Sequence, residues 1–133
     1  MKKVTIGWAT RDISTNKAVS IPGQFHARIS EGVFDPVFVT ALVIDSGDDL
    51  TIFVSADIVI IRHYLLDRLR ERVIERDPSI PADKIVMNAT HTHTGPSTYG
   101  DHPSSYYRKI RLRNLQPTYV KMLTKRRLEC GGV

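Results

Sequence analysis

Residues 50–89 read LTIFVSADIVIIRHYLLDRLRERVIERDPSIPADKIVMNA, and this stretch decides the fold. Residues 50–56 are apolar and rich in β-branched side chains, which is typical of a buried strand. Apolar residues then recur at helical spacing from about 60 to 76, which predicts an amphipathic helix that ends before Pro78. A second short apolar strand follows at 84–89. A strand, a helix and a strand in this order imply a right-handed crossover between two adjacent, parallel strands.

The residues that precede this unit predict the rest of the sheet. Residues 35–45, DPVFVTALVID, are apolar on both faces and indicate a buried strand. The polar turn SGDD at 46–49 joins that strand to the next one and makes a β-hairpin. A short strand pattern covers residues 2–9, and an irregular stretch with a turn at Pro22 and Gly23 follows it. The sequence therefore predicts an α/β fold, a layered mixed sheet with a β-hairpin and a βαβ crossover.

Length and composition narrow the class of protein. A chain of 133 residues is one domain at most, so we expect residues 1–133 to form a single domain. Hydrophobic residues make up 41% and charged residues 25%, as in globular proteins. There is no apolar run long enough to cross a bilayer, and the start of the chain lacks a signal-peptide pattern. We expect a cytoplasmic protein, or one exported by a signal outside this sequence, and the single Cys130 excludes an internal disulfide.

The positive charge is concentrated in a basic tail, residues 104–133. The tail has eight basic residues against Glu129 alone, a net charge of +7 in a chain of net charge +5. Such a tail can bind an anionic membrane surface or nucleic acid weakly, through residues 108–127. No sequence-specific nucleic-acid motif accompanies it. The alternative interpretation is a solvated helix face, which is the commoner fate of a run of charges.

A histidine pair follows the second parallel strand, in the run MNATHTHTGP at 87–96. Ligands gather beyond the carboxyl ends of parallel strands, and Asp57 ends the partner strand, so we expect it near His91 and His93. If the backbone stays extended, both histidines point to the same side. Two histidines beside a carboxylate are a usual start for a zinc site, in which Asp57 binds the metal or orients a histidine ring. The alternative is a structural pair bonded to threonines and backbone.

Several stretches together resemble a known family. The run ATHTHTGP follows IFVSADIVII and an amphipathic helix, and both lie downstream of IGWATRDIS and PGQFHARISEGVFDPVFVTALVID. In this order they resemble the N-terminal part of the neutral/alkaline ceramidase family. The resemblance covers about residues 4–100, and its most specific part is the histidine run with its Gly-Pro turn.

The resemblance implies a function and roles for individual residues. The family hydrolyses the amide bond of N-acylsphingosines with one zinc ion that activates water. Carried over to this chain, His91 is a zinc ligand, and His93 is a catalytic residue that faces the substrate. Gly23 lines the substrate pocket, and the substrate is a lipid or another amide.

The chain also departs from the family pattern. Family members are several times longer, and their further zinc ligands, a histidine, a glutamate and a tyrosine, come from later segments that have no counterpart here. We therefore expect a partial domain with an incomplete zinc site, inactive alone. The tail supports a truncated or frameshifted reading frame, because its helical pattern is lost at KRRLECGGV; the alternative is a short helix capped by Gly131 and Gly132.

Two further functions remain open on the sequence. The chain can be a small non-enzymatic module that binds anionic lipid or nucleic acid through its basic tail. It can also be a zinc-binding protein that completes its site with residues of a second subunit.

Overall fold

The computed structural model describes residues 4–98, so the basic tail, His102 and Cys130 lie outside the described residues. These residues form a single four-stranded sheet in the order β1-β2-β3-β4, with one helix. The elements are β1 (Thr5–Asp12), β2 (Phe38–Asp45), β3 (Leu50–Ala56), α1 (His63–Arg76), a 3-10 turn (Ala82–Lys84) and β4 (Ile85–Ala89). The predicted α/β class with a mixed sheet is confirmed. In residues 4–98 there is no helix both long and apolar enough to span a bilayer.

The β3–α1–β4 unit is the predicted crossover. Strands β3 and β4 are adjacent and parallel, with Ile52 opposite Ile85 and Ala56 opposite Ala89. The helix begins at His63, a few residues later than the apolar periodicity suggested, because residues 57–62 form a loop whose carbonyls accept hydrogen bonds from His91 and Thr98. Both strands end at the same edge, and the loop after each strand begins there.

The β2–β3 hairpin is also confirmed. The two strands pair in antiparallel register from Val39 opposite Ala56 to Asp45 opposite Leu50. In the turn, the backbone N–H of Ser46 donates to the carbonyl of Asp49 at 2.9 Å. Gly47 adopts a left-handed φ of 83°, which glycine reaches without a steric penalty.

Strand β1 lies three residues further along the chain than its sequence pattern indicated, at Thr5–Asp12 and not at residues 2–9. It pairs with all of β2, and its last three residues, 10–12, lie opposite Thr40, Val39 and Phe38. The hydroxyls of Thr10 and Thr40 form a hydrogen bond of 2.9 Å across this extension. Pairing with β2, and not local propensity, carries the strand on to Asp12, so the sequence around Thr10 held no signal for this shift.

The hydrophobic core lies between one face of the sheet and α1. Its members alternate along β2 and β3 and include the inward side of α1 and β4. The buried cluster consists of Ile13, Val39, Ala41, Ile52, Val54, Ala56, Ile58, Leu65, Val73, Ile80 and Ile85. Arg70 of α1 also donates to the carbonyl of Ile85 through Nη2 at 3.0 Å, which ties the helix to the start of β4.

The opposite face of the sheet is apolar and uncovered by the described residues. Trp8, Leu42, Phe53 and Val86 lie side by side in one row across the four strands. The exposed fraction is 69% for Trp8, 42% for Phe53 and 45% for Val86. Both faces of β2 were expected to be buried. The face towards the helix is buried, whereas Leu42 on the other face is half-buried.

Candidate functional site

The segments that follow β3 and β4 stay in contact beyond the sheet. The backbone N–H of Thr90 donates to the carbonyl of Ala56 at 2.9 Å, and that of His91 donates to the carbonyl of Ile58 at 3.1 Å. These two bonds hold the histidine run against the β3–α1 loop. The two histidines therefore lie at the edge of the sheet where the parallel strands β3 and β4 end.

His91 leaves the extended conformation. Its φ is 63°, in the left-handed region. Within residues 4–98, the other residues with a positive φ are both glycines, Gly23 and Gly47. Such a conformation costs a non-glycine residue about 1–2 kcal/mol. The premise that the two histidines share a side because the backbone stays extended is therefore wrong. The chain turns at His91 because both its backbone N–H and its ring reach carbonyls of the β3–α1 loop.

The ring of His91 is fixed by a backbone carbonyl. Its Nδ1 lies 2.6 Å from the carbonyl oxygen of Val59, and since that oxygen can only accept, Nδ1 carries the proton. The lone pair of the neutral ring is then on Nε2. A histidine that ligates a metal commonly donates its other ring N–H to a backbone carbonyl in this way. His91 is exposed, so Nε2 is the free ligand atom of a ring that is already oriented.

The structure brings His93 next to His91 despite the turn. The centroids of the two rings are 5.1 Å apart, with an interplanar angle of 68°. His93 is half-buried, whereas His91 is exposed. The two imidazoles therefore share one small region, and each has its own environment.

Gly23 packs directly on the ring of His93. Its φ of 101° favours glycine, and a Cβ built on it would lie 2.5 Å from Nδ1 and 2.9 Å from Cβ of His93. Any side chain at this position would overlap the ring. The backbone of the loop after β1 thus forms one wall of the region around the two histidines.

Asp57 lies at the same edge, where its carboxylate joins three strand ends. Oδ2 accepts a hydrogen bond from the backbone N–H of Phe38 at 2.8 Å, and Oδ1 accepts one from the hydroxyl of Thr90 at 3.1 Å. The carboxylate therefore ties the start of β2 to the end of β4. In the structure, the carbonyl of Val59 is the group that orients the His91 ring.

The segment after the histidines is buried and fastened to the rest of the fold. A Cβ on Gly95 would lie 2.5 Å from the carbonyl oxygen of Asp57, so only glycine allows this approach. The backbone N–H of Ser97 donates to the carbonyl of Ser20 at 2.8 Å, and the hydroxyl of Thr98 donates to the carbonyl of Ile60 at 3.2 Å. The Gly-Pro turn thus directs the chain back onto the two loops that flank the histidines.

Arg28 is a further residue of this region, and the sequence analysis missed it. Its Nη2 donates to the carbonyl of His93 at 2.5 Å and to the carbonyl of Pro22 at 3.2 Å. An arginine in an irregular loop has no periodicity or motif that marks it. Its role depends on a contact across 65 positions of sequence, which only the tertiary structure reveals.

The donor atoms around His91 are few. Within residues 4–98 there is no group of three or more histidine, cysteine, aspartate or glutamate side chains that could hold a metal ion. His91 fits the role of one zinc ligand by its tautomer and exposure. A catalytic zinc site needs about three protein ligands, so the described residues supply part of such a site at most.

Comparison with known proteins adds a structural likeness. No protein-family model matches the sequence, and a search of curated proteins gave no match. The structure is similar to that of neutral ceramidase from Pseudomonas aeruginosa, with a TM-score of 0.64 and 20% sequence identity. The match covers 71% of this chain and 16% of the ceramidase chain. The matched part of this chain has the fold of a segment of that neutral ceramidase.

The structural similarity to this ceramidase concerns the arrangement of the strands and the helix. At 20% identity it establishes the fold, and the roles of single residues rest on the geometry described above. The chain spans less than a fifth of the ceramidase that it matches. The activity of a whole ceramidase is therefore a matter of proposal for this chain.

Proposed function

We propose that this chain provides the strand-end portion of a zinc-dependent, ceramidase-like amidohydrolase. One observation carries the proposal: His91 is held by Val59 in the tautomer that leaves Nε2 free, directly beside His93. This arrangement stands at the carboxyl edge of a parallel pair, in a chain with the fold of a ceramidase segment. The expected substrate is an N-acylated lipid or another amide.

Each residue of the site has a distinct part in the proposed chemistry. His91 would hold zinc through Nε2, and a bound zinc ion supplies a hydroxide near neutral pH by lowering the pKa of its water to about 7. His93, beside it, would hydrogen-bond to the reacting amide or move a proton. Gly23 lets the backbone of its loop pack on the His93 ring, so it would hold that ring in place and form part of the wall of the substrate pocket.

Asp57 supports this arrangement from the sheet. Its carboxylate holds Thr90 next to the start of β2, and Thr90 immediately precedes His91. The position of the histidine run relative to the β3–α1 loop therefore depends on Asp57. We propose that Asp57 orients the site through the backbone.

The number of ligands limits what the chain does alone. With His91 as one ligand and no group of three donors in residues 4–98, zinc is expected to bind weakly and below one ion per chain. Hydrolysis also requires a site that excludes bulk water, whereas the His91 ring is exposed. We therefore propose that the chain alone binds amide lipid without turning it over.

Neither alternative function gains support from residues 4–98. The basic tail lies outside the described residues, so residues 4–98 do not test its binding to an anionic surface or to nucleic acid. A zinc site completed between two subunits would use the same His91. Measurement of the zinc stoichiometry together with the oligomeric state distinguishes such a shared site from a partial site in a single chain.

Binding of a fluorescent short-chain ceramide to the full chain, with and without added zinc, tests the proposed function. We expect saturable binding that His93→Ala weakens, with no release of free fatty acid. The matched control is His26→Ala, which removes an exposed histidine from the neighbouring loop. Equal binding by wild type and His93→Ala would contradict the proposed substrate role. Turnover that His91→Ala abolishes would show that the chain is a complete enzyme.

A further inference from the structure

We infer that Arg28 is a positioning residue of this site, which holds the Gly23 loop against His93. The inference rests on the proposed function for what the site binds, while the contact itself is a feature of the fold. Arg28 would touch neither the metal nor the substrate. It would act through the backbone of Pro22 and His93.

A single nitrogen of Arg28 joins the two sides of the site. Nη2 donates to the carbonyl of Pro22, which precedes Gly23, and to the carbonyl of His93. The distances are 3.2 Å and 2.5 Å. Hydrogen bonds from a charged donor are shorter and stronger than those between neutral groups. Arg28 therefore fixes the separation of the two backbones whose contact forms the Gly23 wall.

The rest of the loop is fastened mainly at its base. Ser20 and Ile29 form an isolated antiparallel bridge, and the backbone N–H of Ile21 donates to the carbonyl of Arg28 at 3.0 Å. Ser97 adds its bond to Ser20 at the same level. The tip at 23–27 is exposed. Arg28 stands where the fastened base meets this exposed tip, and its side chain reaches forward to the histidine segment.

The positive charge of Arg28 stabilises the contact between the two carbonyl oxygens more strongly than a neutral donor would. Two carbonyl oxygens, those of Pro22 and His93, converge on one guanidinium nitrogen. Without a cation between them, the two oxygens would repel each other and the loop would be expected to move away. Movement of the loop would separate Gly23 from the His93 ring and widen the site.

Arg72 offers a matched control within the same chain. Like Arg28, it has a buried Nε without a hydrogen-bond partner. Its Nη1 pairs with Glu75 on the surface of α1 at 2.7 Å. The unpaired Nε is thus common to an arginine at the site and one on the helix. The bonds to Pro22 and His93 distinguish Arg28.

The experiment compares Arg28→Ala, Arg28→Lys and Arg72→Ala in the full chain by NMR and by probe binding. In wild type and Arg72→Ala, a nuclear Overhauser effect should join the Hα protons of Gly23 to the ring protons of His93. We expect Arg28→Ala, which removes both hydrogen bonds of Nη2, to lose this contact and to bind a fluorescent short-chain ceramide about tenfold more weakly. Arg28→Lys, which keeps a cation, should recover part of both.

The outcomes separate this inference from the proposed function. If Arg28→Ala keeps the Gly23–His93 contact and the wild-type affinity, the positioning role is overturned. If the wild type binds no ceramide but Arg28→Ala still loses the contact, the proposed function fails and the positioning role stands. Should Arg28→Ala fail to fold, Arg28→Lys and Arg28→Gln replace it. The role of the cation is supported if Arg28→Lys keeps more of the contact and affinity than Arg28→Gln, and it is overturned if Arg28→Gln keeps both in full.

Discussion

His91 combines two demands at a single residue. Its left-handed backbone directs the N–H towards Ile58, and its ring donates to Val59. A residue that accepts about 1–2 kcal/mol of backbone strain must be held by its surroundings, and these two hydrogen bonds hold it. The strain and the free Nε2 thus arise from the same geometry.

Substitutions at His91 test that conformation. Alanine keeps the strain and loses the ring bond, whereas glycine loses the bond but is unstrained at φ of 63°. We expect His91→Gly to be about 1 kcal/mol more stable than His91→Ala in urea unfolding. Equal stabilities, or a more stable alanine variant, would contradict a left-handed residue at this position.

Glycines at three positions separate strain from overlap. Gly23 has a left-handed φ and overlaps His93, Gly47 has a left-handed φ in open space, and Gly32 is open without a left-handed φ. We expect Gly32→Ala to change stability by less than about 1 kcal/mol and Gly47→Ala to lower it by about 1 kcal/mol. Gly23→Ala should lower it further and shift the NMR signals of the His93 ring. An effect of Gly23→Ala no larger than that of Gly47→Ala would show that the loop does not press on His93.

At the scale of elements, the β3–α1–β4 unit is the part of the fold that local sequence patterns predict best. Strand and helix periodicities within residues 50–89 identified both parallel strands, and their shared edge is where Asp57 accepts a hydrogen bond from Thr90. The left-handed turn at His91 was not predictable, because it depends on carbonyls of the β3–α1 loop. The last three residues of β1 and the contacts of Arg28 were missed for the same reason, since both depend on partners distant in sequence.

Neighbouring residues of β4 test which face of the sheet the helix covers. Ile85 is fully buried beneath α1, and Val86 is 45% exposed on the other face. We expect Ile85→Ala to lower the free energy of unfolding by about 2–5 kcal/mol, and Val86→Ala by less than about 1 kcal/mol. Denaturant titrations followed by circular dichroism measure both. Similar losses would mean that the second face is packed as tightly as the first.

At the scale of the whole molecule, the uncovered face of the sheet is the most conspicuous feature. Layered folds bury an apolar sheet face against another layer, and large exposed apolar patches mark interaction surfaces. Here the row from Trp8 to Val86 lies opposite the helix, and no element within residues 4–98 covers it.

Trp8 reports on this face directly, because it is the single tryptophan of the chain. With 69% of its surface exposed, its fluorescence should be strongly quenched by acrylamide in dilute solution. Replacement of Phe53, its neighbour but one in the row, by serine should leave that quenching unchanged. A blue-shifted, quencher-protected signal at nanomolar concentration would show that other residues of the chain cover the row.

The central claim is that His91 presents Nε2 as one ligand of an incomplete zinc site. A zinc titration of the full chain against a competing indicator dye near pH 7.5 tests it most directly, with His91→Ala compared with His63→Ala, which removes an exposed histidine at the start of α1. We predict weak binding of less than one zinc ion per chain, lost in His91→Ala and retained in His63→Ala. Unchanged binding by His91→Ala, or one zinc ion per chain that survives dialysis, would contradict the account.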